Sequence, residues 1–399
     1  MIKRLSKYKR FMEELNSYNT DGSEQPYNNK ENLEKAIIQL SRSSKKNADK
    51  ELEDILNSEE FKRYNIDLNK LNYPYTPLIW ACREDENANK NTIKVLLEHG
   101  ADPYNFDTFE FIENDSPLIY TFKRKNYDLV NFILENADSK YDKDKGLLLC
   151  WACYNEKTKL VKLLLEHGAD TDSNYNGLTP IFWAIKNENI VIFRLLLDYG
   201  VDINNDNSLG QSPLSRICYR KSGSSSGYYK RFVELSLEHG ADVNYRDKSG
   251  ITPLFWACQY DISVEDIEVV KLLLEHGADP DIYGNTPKSL PLYNACWYEN
   301  KELVKLLLEH GADPNITARK FGDETPLFVA SFEKFNEDII KLLLEYGAWR
   351  PFVGKENDLP YEFNWNKGFV KNLIMYYLNK NKDKNESTRI RKFYRNRQR

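Results

Sequence analysis

Three sets of residues in this 399-residue chain are of types that could do chemistry. The first is the five histidines, His99, His167, His239, His276 and His310. Imidazoles serve as metal ligands and as general acids or bases near neutral pH. The second is Cys150-Trp151-Ala152-Cys153, whose Cys-x-x-Cys spacing suits a redox dithiol or half of a zinc site. The third is a row of aromatic residues, which dominate binding hot spots where they are partly desolvated. No Gly-rich phosphate loop and no Ser/His/Asp arrangement stands beside them.

The setting of these residues decides what they can do. All five histidines stand in one recurring phrase, Leu-Glu-His-Gly-Ala-Asp or Leu-Leu-Glu-His-Gly-Ala-Asp, whose copies end at Asp102, Asp170, Asp242, Asp279 and Asp313. Weaker copies occur around Gly200 and Gly347, with Asn136 in a degenerate one, so the marker recurs every 32 to 40 residues. A second marker leads each unit: Thr76-Pro77-Leu78, Ser116-Pro117-Leu118, Thr179-Pro180-Ile181, Ser212-Pro213-Leu214, Thr252-Pro253-Leu254, Leu290-Pro291-Leu292 and Thr325-Pro326-Leu327. One further unit, at Leu147-Leu148-Leu149, lacks the proline. Such a period marks a stacked array of helical units, eight of them between about 74 and 350. Histidines one repeat apart stand on the order of 10 Å from each other, too far to share an ion. They are expected to serve helix C-termini instead. Cys153 shares its repeat position with Cys82, Cys218, Cys258 and Cys296, so five of the six cysteines read as small core residues. No catalytic residue, no metal and no cofactor is expected.

Each unit follows from local physics. A Ser or Thr before Pro caps the free amides of a helix start, and Pro fits the first helical position. A short helix follows, such as Pro253–Tyr260. The second helix, for example Val269-Val270-Lys271-Leu272-Leu273-Leu274-Glu275, is apolar along one face. Gly277 then closes it in a left-handed conformation, and the Asp/Asn/Gly-rich stretch beyond makes a turn.

This pattern resembles the ankyrin repeat, on the Thr-Pro-Leu start, the Ala-Cys or Ala-Xaa pair and the Val-Lys-Leu-Leu-Leu-Glu-His-Gly-Ala-Asp ending, over about 280 of the 399 residues. The resemblance implies an all-α, ankyrin-type α-solenoid of stacked helix–turn–helix repeats with short β-hairpin loops. It also implies protein binding by a concave face and by the loop tips. One departure stands out. The family's usual His, two residues after Pro, is replaced by Ile79, Ile119, Cys150, Phe182, Ser215, Phe255, Tyr293 and Phe328. Apolar packing must take the place of its hydrogen bonds.

Three residues after the proline position stand Trp80, Tyr120, Trp151, Trp183, Arg216, Trp256, Asn294 and Val329. Farther along the same helices come Tyr154, Tyr219, Tyr260, Trp297, Tyr298 and Phe332. Residues three and four apart share a helical face, and by resemblance this face lines the concave groove. Trp80, Tyr120, Trp151, Tyr154, Trp183, Arg216, Trp256, Tyr260 and Trp297 are therefore the candidate partner-binding residues. The alternative is that the rings fill space between neighbouring repeats.

Composition bounds the rest. With 29% charged and 41% hydrophobic residues, the chain suits a folded domain. It has no run of 18 apolar residues that could cross a membrane. The N-terminus lacks the apolar core of a signal peptide, and six cysteines in a chain this long do not form a disulfide framework. An intracellular, cytoplasmic setting follows as the expectation. Residues 1–10 carry five Lys/Arg and no acid, and residues 380–399 carry a net +7, leaving −17 on residues 11–379. Such a body favours a neutral or basic protein partner.

The organisation expected is a basic and polar segment over 1–29, a divergent N-terminal cap over 30–72, eight repeats over 73–350, a C-terminal cap over 351–379 and a basic disordered tail over 380–399. Residues 221–227, Lys-Ser-Gly-Ser-Ser-Ser-Gly, read as an inserted loop. The function expected is that of a non-enzymatic scaffold binding a protein, with no small-molecule substrate. The alternative is an adaptor with a second output. Asp358-Leu359-Pro360-Tyr361-Glu362-Phe363 would then be an F-box-like ligase-recruiting segment, or the basic tail would contact nucleic acid or anionic lipid.

Overall fold

The structure is a computed structural model, and it describes residues 30–348 apart from 44–46, 71–74, 84–89, 105–115, 220–228, 260–263, 286–288, 318–324 and 334–335. The segment 1–29, the 221–227 insertion, the 351–379 cap, the F-box-like stretch and the basic tail lie outside the described residues. The described residues fall into two compact units, one reaching Trp183 and one starting at Ala184.

Helix pairs make up both units. In the N-terminal unit, Lys30–Ser41 and Ala48–Asn57 form a first pair, followed by the short helix Glu59–Tyr64. The repeats Pro77–Cys82 with Lys90–Glu98, Pro117–Lys123 with Tyr127–Asn136, and Asp142–Tyr154 with Thr158–Glu166 follow. The pair Pro180–Lys186 and Ile190–Asp198 holds the boundary. The C-terminal unit continues with Pro213–Cys218 and Tyr229–Glu238, then Pro253–Ala257 and Val264–Glu275. Pro291–Trp297 and Lys301–Glu309 come next, and Pro326–Phe328 and Glu337–Glu345 come last. Within each unit first helices pack on first helices and second on second. Pro77–Cys82 lies against Pro117–Lys123, and Lys90–Glu98 against Tyr127–Asn136. Likewise Pro213–Cys218 lies against Pro253–Ala257, and Tyr229–Glu238 against Val264–Glu275. Each unit is thus an all-α, ankyrin-type stack.

The start signals act as their chemistry dictates. Thr76, Ser116, Ser212, Thr252 and Thr325 each accept a hydrogen bond from the amide three residues on. Leu290, with no hydroxyl, gives its helix no side-chain cap. The stop signals act likewise. Gly100, Gly168, Gly200, Gly240, Gly277, Gly311 and Gly347 all have positive φ. The alanine after the glycine is buried in most repeats, as at Ala101, Ala169, Ala278 and Ala312. The following Asp turns the chain, its carboxylate accepting the amide two residues on, as in Asp102 to Tyr104, Asp242 to Asn244 and Asp313 to Asn315.

Where the signals are missing, the fold changes. Asn136 remains within its helix and donates to the Phe132 carbonyl, so no left-handed closure forms there. A 3-10 turn at Ser139–Tyr141 follows. Without Thr-Pro to start it, the next first helix reaches back to Asp142 and runs 13 residues. The expected helix Pro253–Tyr260 is shorter than the sequence suggests: it closes at Ala257, because the Cys258 amide folds back onto the Leu254, Phe255 and Trp256 carbonyls.

The loops are tight turns, with no β-strand among the described residues. Tyr175 and Leu178 form an isolated antiparallel bridge, and Asn207 with Gln211 and Asp247 with Ile251 are joined by single backbone bonds. Asparagines clip several loops to the next. Asn69 donates to the Gly100 carbonyl and accepts from the Asp102 amide. Asn204 does the same to Gly240 and Asp242, and Asn244 to Gly277 and Asp279. All eight residues that replace the family's His are buried, Ile119, Cys150 and Ser215 among the deepest. Apolar side chains take the place of the imidazole at six of these positions, while Cys150 donates to the Ser173 carbonyl and Ser215 accepts from the Ser212 hydroxyl.

Candidate functional site

The residues that invited catalytic readings are placed first. Each histidine uses Nδ1 on its own helix: His99 on the Val95 carbonyl, His167 on Leu163, His239 on Leu235, His276 on Leu272 and His310 on Leu306, at 2.8–3.0 Å. The rings thus close the last turn of the second helices, and among the described residues no three His, Cys, Asp or Glu gather into a potential metal site. All six cysteines are buried and unbridged. Burial pushes the thiols of Cys82, Cys150 and Cys218 up to about 12, and those of Cys153, Cys258 and Cys296 higher still. A protonated thiol is a poor nucleophile and a poor metal ligand. Cys150 donates to the Ser173 carbonyl at 3.0 Å, which ties the Cys-x-x-Cys to the neighbouring loop.

The aromatic row divides by environment. Trp80 and Trp183 are each only 3% exposed. Trp80 meets Tyr75 edge-on at 5.3 Å and lies beneath two guanidinium groups, Arg42 at 4.7 Å and Arg83 at 5.0 Å. Trp183 packs edge-on against Tyr154 at 4.8 Å and donates its indole N–H to the Tyr175 carbonyl. These two rings are packed within the stack. Tyr120, Trp151, Arg216, Trp256 and Trp297 are half-buried, and Tyr154 is 47% exposed. Tyr260 lies outside the described residues.

One contact recurs in both units. The residue six beyond the proline position in one repeat there meets the residue three beyond it in the next. Tyr154 meets Trp183 in the N-terminal unit, and Tyr219 meets Trp256 at 4.6 Å in the C-terminal unit. Trp297 stacks on Tyr293 of its own helix, and Tyr298 beside it is 40% exposed. Arg216 lies over Tyr219 at 5.7 Å, and Arg124 over Tyr120 at the same distance. Each unit therefore presents partly exposed rings on its first helices, paired across one repeat boundary in each. Edge-to-face pairs add about 0.5–1.5 kcal/mol beyond their buried area, so the Tyr154–Trp183 and Tyr219–Trp256 pairs are held in place.

Sequence reading missed Tyr175, which completes the ring cluster around Trp183. It also missed the arginines that cover Trp80 and Tyr120. Their spacing was a usable signal, since Arg83 and Arg124 stand three and four residues after the rings they cover.

Loop tips of the C-terminal unit are tied sideways. Tyr245 donates to the Asp206 carboxylate, Lys248 to the Ser208 carbonyl and Arg246 to the Tyr283 carbonyl. Leu209 and Tyr283 are exposed beside these ties.

Comparison with known proteins agrees with this architecture. The model for ankyrin repeats in three copies matches residues 118–207, 221–318 and 288–353, and that for a single ankyrin repeat matches 75–108. The chain belongs to the ankyrin repeat family. An ankyrin repeat protein of Acanthamoeba polyphaga mimivirus is 34% identical over 235 residues, covering 54% of this chain and 51% of that protein. One of fowlpox virus is 40% identical over 68 residues, 17% of this chain and 13% of the other. The ankyrin repeat protein nuc-2 of Neurospora crassa is 28% identical over 216 residues, 53% and 15% respectively. The chain thus spans about half, or less, of the length of these relatives. A solved ankyrin repeat domain from Acinetobacter baumannii is 26% identical, with a TM-score of 0.44 over 50% of this chain and 97% of that one. Ankyrin repeats generally mediate protein–protein interaction and form a typically non-enzymatic fold. Among the described residues no helix is long and apolar enough to cross a membrane.

Proposed function

We propose that this chain is a non-enzymatic scaffold that binds a protein partner along its first-helix face and its hairpin tips. The observation that carries the reading is a set of incompletely buried rings: Trp151 and Tyr154 in one unit, Trp256, Trp297 and Tyr298 in the other, with Tyr154, Trp256 and Trp297 each packed on a neighbouring ring. Rigid aromatic groups lose little conformational entropy on binding, and burial of their remaining surface is favourable. The net −17 of residues 11–379 favours a neutral or basic partner. The buried thiols, all unbridged, support a reducing, cytoplasmic setting. Nothing in this reading requires a small-molecule substrate.

Affinity capture tests it, with wild type set against a Trp151→Ala/Tyr154→Ala/Trp256→Ala/Trp297→Ala variant and folding followed by circular dichroism. A partner held by the wild type and lost by the folded variant supports the ring face. Equal retention by both refutes it. A second output from the basic tail rests on its nine Lys/Arg. Deleting residues 380–399 would then remove a salt-dependent affinity for nucleic acid or anionic vesicles.

A further inference from the structure

The ring row itself displays a group that sits on it. At the third residue after the proline position, three successive repeats of the N-terminal unit carry Trp80, Tyr120 and Trp151. Two guanidinium groups cover Trp80, and one lies 5.7 Å from the Tyr120 ring, donating to its hydroxyl at 3.0 Å. Among the described residues no cationic group lies over Trp151 and no other ring packs against it. The reason is in the sequence. The places of Arg83 and Arg124 in their repeats are taken in the third by Tyr154 and Asn155, and the Asn155 amide donates to the Trp151 carbonyl at 2.9 Å. Trp151 is left half-buried, with exposed Tyr154 one turn on. Residues 11–183 carry a net charge of −10.

We infer that Trp151, with Tyr154 beside it, takes an arginine side chain presented by a basic segment of the partner protein. The inference rests on the protein-binding reading above and names the chemistry of what binds. Indole is the best ring for a cation, and a guanidinium is planar and weakly hydrated, so it stacks at smaller cost than an ammonium. The fold places the same group over the equivalent Trp80 ring and beside that of Tyr120. The charge of the surrounding chain draws a basic segment toward this face.

The test uses the full chain and two peptides of equal charge, hexa-arginine and hexalysine, titrated calorimetrically at physiological ionic strength. Wild type is expected to bind hexa-arginine at least about threefold more tightly than hexalysine. Trp151→Ala should bring the two level, while Trp151→Phe keeps part of the preference. Trp151→Leu, which retains apolar bulk without a π face, decides the matter should the alanine variant unfold. Equal binding of the two peptides to wild type overturns the inference, as does a preference that survives in Trp151→Leu. Either failure would leave the broader reading to its own test, since retention of a partner by the ring face does not depend on arginine.

Discussion

Tyr154 and Trp183 meet edge to face, with centroids 4.8 Å apart and planes at 69°, yet Tyr154 is 47% exposed and Trp183 only 3%. One ring holds the stack and the other lies on its surface. Truncating them should therefore have different effects. Trp183→Ala removes a buried ring and its hydrogen bond to Tyr175, and a loss of about 3–5 kcal/mol is expected. Tyr154→Ala should cost about 1 kcal/mol, the worth of the ring pair. Denaturant titration of both variants checks the contrast, and equal losses would show that exposure does not separate their roles.

A second prediction comes from the loop clips. Asn204 and Asn244 each make two bonds to the following repeat, but the equivalent residue of the next loop is Asp281. Asp281 accepts from the Asp313 amide and, when ionised, has no proton to donate. Its pKa is raised, chiefly by burial and further by the Asp313 and Asp279 charges, against the lowering by the Asp313 amide. A raised folded-state pKa means stability is fully present below the unfolded value and lost as pH rises through the folded one. Asp281→Asn should therefore stabilise by about 1 kcal/mol at neutral pH, with the gain shrinking as pH falls through the carboxylate range. Thermal melts of both proteins across that range check the sign.

Two glycines should respond to alanine for different reasons. At Gly146 a Cβ would lie 2.8 Å from Ser173 Cβ and 3.0 Å from the Asp170 carbonyl. Gly146→Ala should cost roughly 1–3 kcal/mol through overpacking. At Gly168, with φ of +66° and open space around it, the alanine cost is backbone strain alone, about 1 kcal/mol. Introducing Ser173→Gly beside Gly146→Ala should recover part of the first loss and none of the second.

The cysteines give a fourth. With thiols at about 12, the thiolate fraction of Cys82, Cys150 and Cys218 near pH 8 is on the order of 10⁻⁴. A thiol-specific disulfide reagent should label none of the six in the folded chain and all six in denaturant. Fast labelling of Cys150 in the folded protein would reopen a redox role.

Much of the fold was legible because its signals are local. Thr252 caps its helix and Gly277 closes the next through chemistry that those residues carry themselves. The division of the rings was not legible. Trp80, Trp151 and Trp183 are the same residue at the same repeat position, and only their neighbours differ. Arg42 and Arg83 cover the first, and Tyr154 and Tyr175 enclose the third. The backward extension of the helix to Asp142 was hidden for the opposite reason, because it follows from the absence of a signal rather than from its presence. Nor does any shift in composition mark the boundary after Trp183.

The most direct measurement places a photo-crosslinking residue at Tyr154, on the ring edge, and separately at Val191, which is 59% exposed on a second helix. Irradiation with a captured partner is expected to give a covalent adduct from position 154 and none from 191. An adduct from 191 alone would contradict binding through the first-helix face.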